Sequence, residues 1–330
     1  VLFVVSCFVS LAMGTSVGTI TLITPISVAV SAASGFDLPL CVASVMGGAM
    51  FGDNLSFISD TTIAACQGQG CALKDKFREN FKIAMPAALA SLAIILVLSF
   101  NANITGTVIH EYELIELIPY LIVLAGGIIG INVFIVLLLG ILSGAIIMVA
   151  TGATAATDLL TSMGTGAAGM FETTMVAILV SAICALIREY GGFVWLLNAI
   201  KNTFKNRKGG QLGMGILVGC MDIATANNTV AIVMANPIAA DMAKTYNISR
   251  RKTASILDTF SCVFQGIIPY GAQMLIAIAT TASAGYAITA FQIIPCLFYP
   301  FMLLISSLVF IFLIPDHREY DGNDAEAIEA

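Results

Sequence analysis

Four stretches decide how this chain is read: TSVGTITLITPI (residues 15–26), FGDNLSFISDTT (51–62), TANNTVAIVMANPI (225–238) and FQGIIPYGAQ (264–273). Each is polar and holds Gly or Pro, and each lies between apolar runs too short to cross a bilayer alone. Non-helical backbone is tolerated at membrane depth only where it lines a cavity or is buried in protein. Interruptions at matching places in two halves of a chain point to the binding site of a secondary transporter.

Composition sets the class. Hydrophobic residues make up 58% of the 330 and charged residues 10%, against about 25% charged in an ordinary soluble domain. Mean hydropathy is +0.97. The expected fold is an all-α polytopic membrane protein. The net charge of −6 comes in good part from the tail DHREYDGNDAEAIEA, so it says little about partners, and no pattern suggests nucleic acid. The eight cysteines are scattered, with Cys66 and Cys71 the closest, and no Cys/His grouping has metal-ligand spacing; they read as small apolar helix residues. His110 and His317 read as solvated, and Trp195 with Phe193 as an interfacial anchor. The apolar run begins at Val1, so a segment before it is expected. VLFVVSCFVSLAMG has the length of a signal core but no basic flank and runs straight into the first motif, so it is read as mature sequence.

Charge then orders the topology. Stretches 81–100, 170–187 and 291–314 are long enough to span, at about 20 residues each. The run 118–150 is long enough for two helices, with a turn at Gly126, Gly127 and Gly130. Basic clusters at Lys74/Lys76/Arg78/Lys82, Lys201/Lys205/Arg207/Lys208 and Lys244/Arg250/Arg251/Lys252 are placed in the cytoplasm. The acidic loop 101–116 is placed outside. The connector 34–39 has one acid and no base, whereas 244–252 has four bases; the flanks after the second break reverse this. Opposite flanks on the same motif predict inverted-topology repeats, each a re-entrant hairpin followed by a discontinuous transmembrane helix. A hairpin over 211–243, with arms of about 14 residues at 1.5 Å rise, keeps both flanking basic clusters inside. The expected division is a first repeat at 1–100 (hairpin 1–34, broken helix 39–72, helix 81–100), scaffold helices and linker at 101–210, a second repeat at 211–315 (hairpin 211–243, broken helix 253–284, helix 291–314), and an acidic cytoplasmic tail at 316–330.

Ionisable groups within a membrane are costly and mark function. The candidates are Asp53, Asp60, Glu172, Asp222 and Asp258. Asp53 and Asp60, with Asn54, Ser56, Ser59, Thr61 and Thr62, form a dense set of oxygens able to replace the hydration shell of a small cation. Asp222 approaches the second break, where Asn227, Asn228 and Thr229 present amide and hydroxyl oxygens; Thr15, Ser16, Gly18 and Thr19 occupy the mirrored tip. Two chemistries fit such tips: cation ligation by side-chain oxygens, or a carboxylate substrate cradled by backbone N–H groups. Asp53, Asp222, Asp258 and Glu172 are the proton-coupling candidates. Lys and Arg fall almost wholly in loops, Arg188 at a helix end being the nearest to a tip, which weighs against an anionic substrate. No nucleophile–base or metal-ligand constellation suggests an enzyme, no cofactor is called for, and a channel or scaffold would have little use for paired breaks with buried acids.

GDNLSFISDTT resembles the GD-x-LSPLSDTT signature of NhaC-type sodium/proton antiporters, and TSVGT and MDIATANNT resemble that family's paired polar tips. The resemblance runs over essentially the whole chain, and extends to the wider ion-transporter superfamily with its elevator-like motion. It implies Na+ and H+ as transported ions, Li+ as a candidate third, binding by Asp53, Asp60 and Asp222 with Thr19, Asn228 and Thr229 at the tips, a multi-pass location in the cell (inner) membrane, and a homodimer. Where the signature has Pro, this chain has Phe57, which removes a fixed φ from the break. Relatives that exchange malate or lactate make a Na+- or H+-coupled organic-anion antiporter the alternative.

Overall fold

The computed structural model describes residues 1–100, most of 115–169, scattered positions between 170 and 189, 190–204, 206–314 and Tyr320. Glu172, Arg188, His110, His317, the loop 101–114 and nearly all of the tail lie outside the described residues, as does the side chain of Phe193. No strand occurs among the described residues. The helices are α1 (Leu2–Met13), α2 (Ser16–Ser34), α3 (Leu38–Leu55), α4 (Asp60–Gln69), α5 (Leu73–Phe100), α6 (Ile118–Ile129), α7 (Val133–Ala150), α8 (Ala156–Gly169), α9 (Gly192–Thr203), α10 (Arg207–Thr225), α11 (Asn228–Thr245), α12 (Arg250–Ile267), α13 (Ala272–Ser283), α14 (Ala290–Ile293) and α15 (Phe298–Phe312). By length and composition, Ser16–Ser34, Leu38–Gln69, Leu73–Phe100 and Arg250–Ser283 can each cross a membrane. Large apolar side chains stand exposed along α5 and α7, among them Leu89, Val97, Leu138, Ile141 and Ile146. Apolar surface on this scale is the lipid-facing coat of a membrane protein rather than that of a soluble one.

The breaks are short and chemically capped. Between α1 and α2 the chain turns at Gly14, left-handed at φ 67°, and the Thr15 side chain accepts from the Gly18 N–H. Between α10 and α11 it turns at Ala226, left-handed at φ 51°, and the Asn227 side chain accepts from the Val230 N–H. These N-caps start each second arm. The open end of the α10–α11 pair is closed: the Tyr246 hydroxyl donates to the Phe204 carbonyl, and the Tyr246 ring covers Gly210, where a Cβ would collide with it. The long elements are interrupted over residues 56–59 and 268–271, yet Leu38–Gln69 and Arg250–Ser283 each continue in one general direction.

The two halves keep a constant register of 212 positions, without a gap. Gly14 and Ala226 are both left-handed, Thr15 and Asn227 both N-caps, and Pro25 and Pro237 both sit inside the second arm. Gly35 and Asn247 are both left-handed, Asp37 and Ser249 both N-caps, and α3 and α12 both 18 residues long. The register also fixes the packing. Each hairpin lies on the first half-helix of its own half, while its second arm crosses to the second half-helix of the other: α2 on α13, and α11 on α4. Asn236 of α11 accepts from Gln69 of α4 at 2.9 Å and donates to the Ala64 carbonyl at 2.9 Å. Where α3 meets α12, the register mates Met50 and Cys262 touch.

Three expectations change. The hairpin arms were expected at about 14 residues; α2, α10 and α11 have 19, 19 and 18, because the polar residues after each tip are helical and only the cap is not. The span expected over 291–314 bends by 52° between the short helical stretch Ala290–Cys296 and α15, where Pro295 and Pro300 interrupt the ladder. The helix expected from 81 starts at Leu73. Residues 74–82 are therefore its first turns rather than a solvated connector. Lys74, Arg78 and Lys82 are exposed, but Lys76 is buried, since it shares the inward face with Asn80, Ile83, Ala84, Ala87 and Ala88. Lys252, in the third basic cluster, is also buried, its ammonium 4.4 Å from the centre of the Phe310 ring. The two helices expected within 118–150 are present as α6 and α7, with Gly126 and Gly127 inside α6.

Candidate functional site

Asp53 lies in the last turn of α3, 5% exposed. Its carboxylate accepts from Ser16 of the first tip at 2.8 Å and from Ser59 at the far end of the break at 2.7 Å. Ser59 also hydrogen-bonds Thr61 at 2.8 Å, and Gln273 of α13 donates to the Ser16 hydroxyl at 2.8 Å. The Gln273 side-chain oxygen has no partner. One carboxylate thus joins the first tip, the first break and the second half of the other broken helix, in a setting that is buried and oxygen-rich.

Asp222 is fully buried on α10, one turn before the second tip. One carboxylate oxygen accepts from Ser261 of α12 at 3.3 Å; the other has no partner. Ser261 also reaches the Asn228 carbonyl at 3.5 Å. Gln265 donates to the Ala226 carbonyl at 3.0 Å, and its own oxygen has no partner. Gln265 is the register mate of Asp53, and Asn228 of Ser16. Unsatisfied buried oxygens are costly in a low-dielectric interior, and here two of them lie beside the second tip.

A third cluster contains residues that the sequence reading placed elsewhere. Lys76 pairs with Asp258 of α12 and donates to the Asn54 carbonyl at 3.1 Å and the Thr62 hydroxyl at 2.7 Å. Asn80, one turn on, donates to the Asn54 carbonyl, the Asn54 side-chain oxygen and Asp258 at 3.1, 2.7 and 2.8 Å. Ser255 donates to Asn80 at 2.5 Å. Asp258 therefore holds a fixed ammonium. No group of three or more His, Cys, Asp and Glu able to hold a metal ion is found among the described residues.

The remaining candidates take more local places. Asp60 is exposed at the start of α4 and accepts from Thr229 at 2.7 Å, tying the second tip to the first broken helix. Thr15 and Asn227 are N-caps, and Asn228 accepts from the Thr229 N–H at 3.1 Å. Thr19 is buried and donates to the Thr15 carbonyl at 2.9 Å, and Ser56 donates to the Leu11 carbonyl at 2.9 Å. Phe57 stacks on Phe77 at 4.5 Å. Lys76, Asn80, Ser261 and Gln273 were missed as site residues. The signal for the first two was present: Lys76 and Asn80 precede Ile83, Ala87 and Ser91 on one helical stripe.

Broken apolar helices, buried carboxylates at the breaks and a lipid-facing coat define a multi-pass membrane protein built to handle small solutes within the bilayer. The profile of the Na+/H+ antiporter family matches residues 1–102 and 83–314, and the chain belongs to that family. An uncharacterized protein of Haemophilus influenzae is 32% identical over 120 residues, which are 36% of this chain and 23% of that protein's length. No solved structure matches the chain significantly.

Proposed function

We propose that the protein exchanges Na+ for H+ across the cell membrane by alternating access, the two cations competing for buried carboxylates. The observation that carries this is Asp53, a carboxylate buried where the first tip, the first break and the second half of the other broken helix meet. Its neighbours Ser16, Ser59, Thr61 and the unpartnered oxygen of Gln273 offer hard ligands of the kind Na+ takes. The ligands come from α2, α3, the start of α4 and α13, so relative movement of the hairpins and broken helices would assemble or disperse the site. Asp222, with one carboxylate oxygen unpartnered and the other linked through Ser261 to the Asn228 carbonyl, is the second proton–cation exchange group. The gapless 212-residue register, the crossed packing of the hairpins and the opposite charge flanks support two halves of inverted topology with re-entrant hairpins. Li+, smaller and with the same taste for oxygen, would compete for the same ligands.

Nothing favours the organic-anion alternative. Among the described residues the one ammonium that reaches the breaks, Lys76, is already paired with Asp258, and the family match is to cation exchangers. The test is Na+-driven proton movement in inverted vesicles or proteoliposomes carrying a pH-sensitive dye, with malate and lactate added in parallel. Dequenching on Na+ addition is expected, with an apparent Na+ affinity that falls as pH falls. Dequenching only when the organic acids are present would overturn the proposal.

A further inference from the structure

The Lys76 ammonium is buried among a main-chain carbonyl, a hydroxyl and a carboxylate. We propose that its ammonium is a tethered cation filling a monovalent-cation site at the C-terminal end of α3, built from the Asn54 carbonyl, the Thr62 hydroxyl and the Asp258 carboxylate. In a continuous helix the Asn54 carbonyl would accept an N–H four residues on. The break that begins at Ser56 leaves it without that partner. The end of a helix carries partial negative charge and favours a cation, and a carbonyl, a hydroxyl and a carboxylate together are ligands for a hard one. Lysine meets the need as a compact point charge on a flexible stem. Asn80 supplies a second donor to the same carbonyl and to Asp258, and Ser255 fixes Asn80 in turn. All the side chains involved are buried.

Two consequences follow. The first break is held open by a cation that never leaves, so its geometry does not depend on transported ions. Asp258 is engaged in an ion pair with the tethered ammonium, which leaves Asp53 and Asp222 as the buried carboxylates without a fixed cation. The inference stands whether or not Na+/H+ exchange is the activity, because its readout is stability rather than transport.

The test is thermal unfolding of the purified protein in N-methylglucamine buffer titrated with NaCl or methylammonium chloride. Lys76→Ala is expected to melt lower than wild type without small cations, and to regain stability saturably with either one, above any cation effect in wild type. Adding Asp258→Asn to Lys76→Ala is expected to abolish that extra component. Lys76→Ser, which keeps a small polar group and the space, is expected to behave like Lys76→Ala. A cation response in Lys76→Ala no larger than that of wild type would overturn the proposal. So would rescue that survives Asp258→Asn. Failure to isolate either Lys76 variant with Na+ or methylammonium present throughout purification would overturn it too, since a free cation should then replace the tethered one.

Discussion

Replacing Ser16 by alanine removes one hydroxyl and breaks two contacts. Its hydrogen bond to Asp53 is 2.8 Å, and the Gln273 amide that it accepts is also at 2.8 Å. A hydrogen bond to a charged group contributes about 1.5–3 kcal/mol. At about 1.4 kcal/mol per tenfold, loss of the Asp53 contact alone should weaken apparent Na+ affinity roughly 10- to 100-fold. The Gln273 N–H group, 1% exposed, is left unpaired, at a further cost to stability of about 1–3 kcal/mol. The assay is an Na+ titration of dye dequenching in inverted vesicles, run beside thermal unfolding in detergent. Ser27→Ala is the control, since Ser27 is equally buried but donates only to the Thr24 carbonyl within its own helix. The Na+ concentration for half-maximal exchange should rise for Ser16→Ala and stay put for Ser27→Ala. A folded Ser16→Ala variant with half-maximal Na+ within about twofold of wild type, below the smallest shift that charged hydrogen bond allows, would refute the reasoning.

Other perturbations separate scaffold from site. Gly52→Val pushes a side chain from α3 into the Cys7 carbonyl and the Ser10 Cβ of α1, and should lower stability by about 1–3 kcal/mol, read as a lower melting temperature. Asp60→Ala loses an exposed hydrogen bond from Thr229 and a local one from the Thr61 N–H; neither reaches the buried carboxylates, so Na+ affinity should change far less than with Asp53→Asn. Asn236→Ala leaves the buried Gln69 amide only the main-chain carbonyl of residue 236 as acceptor and removes the donor to the Ala64 carbonyl, so α11 is held less firmly on α4 and melting should fall while Na+ affinity in the surviving protein holds.

Much of this was legible in the sequence because breaks in a membrane helix are conspicuous. Gly14, Thr15, Asn227 and the residues around 56–59 interrupt apolar runs that would otherwise continue. Asp53 and Asp222 were legible too, since an acid in such surroundings has few places to go. Lys76 was not, because a basic cluster reads as a solvated flank unless the helical face of each member is tracked. Three of its four members do face solvent, and only the 3.6-residue stripe through Asn80 and Ile83 singles out the fourth. Gln273 and Ser261 escaped for another reason. Each acts on a partner more than 35 residues away in sequence, and no local pattern announces such a meeting. Asp60 shows the opposite failing: its motif carries the same letters as Asp53, yet the first residue of α4 points out of the protein.

The central claim is that Asp53 and Asp222 are the carboxylates over which Na+ and H+ compete. The most direct measurement is Na+-induced dequenching in inverted vesicles for wild type, Asp53→Asn and Asp222→Asn, with each protein's amount and melting temperature checked in parallel. The account predicts that both folded variants lose Na+-driven proton movement across the whole pH range where wild type is active. Exchange at the wild-type level in either one would contradict it.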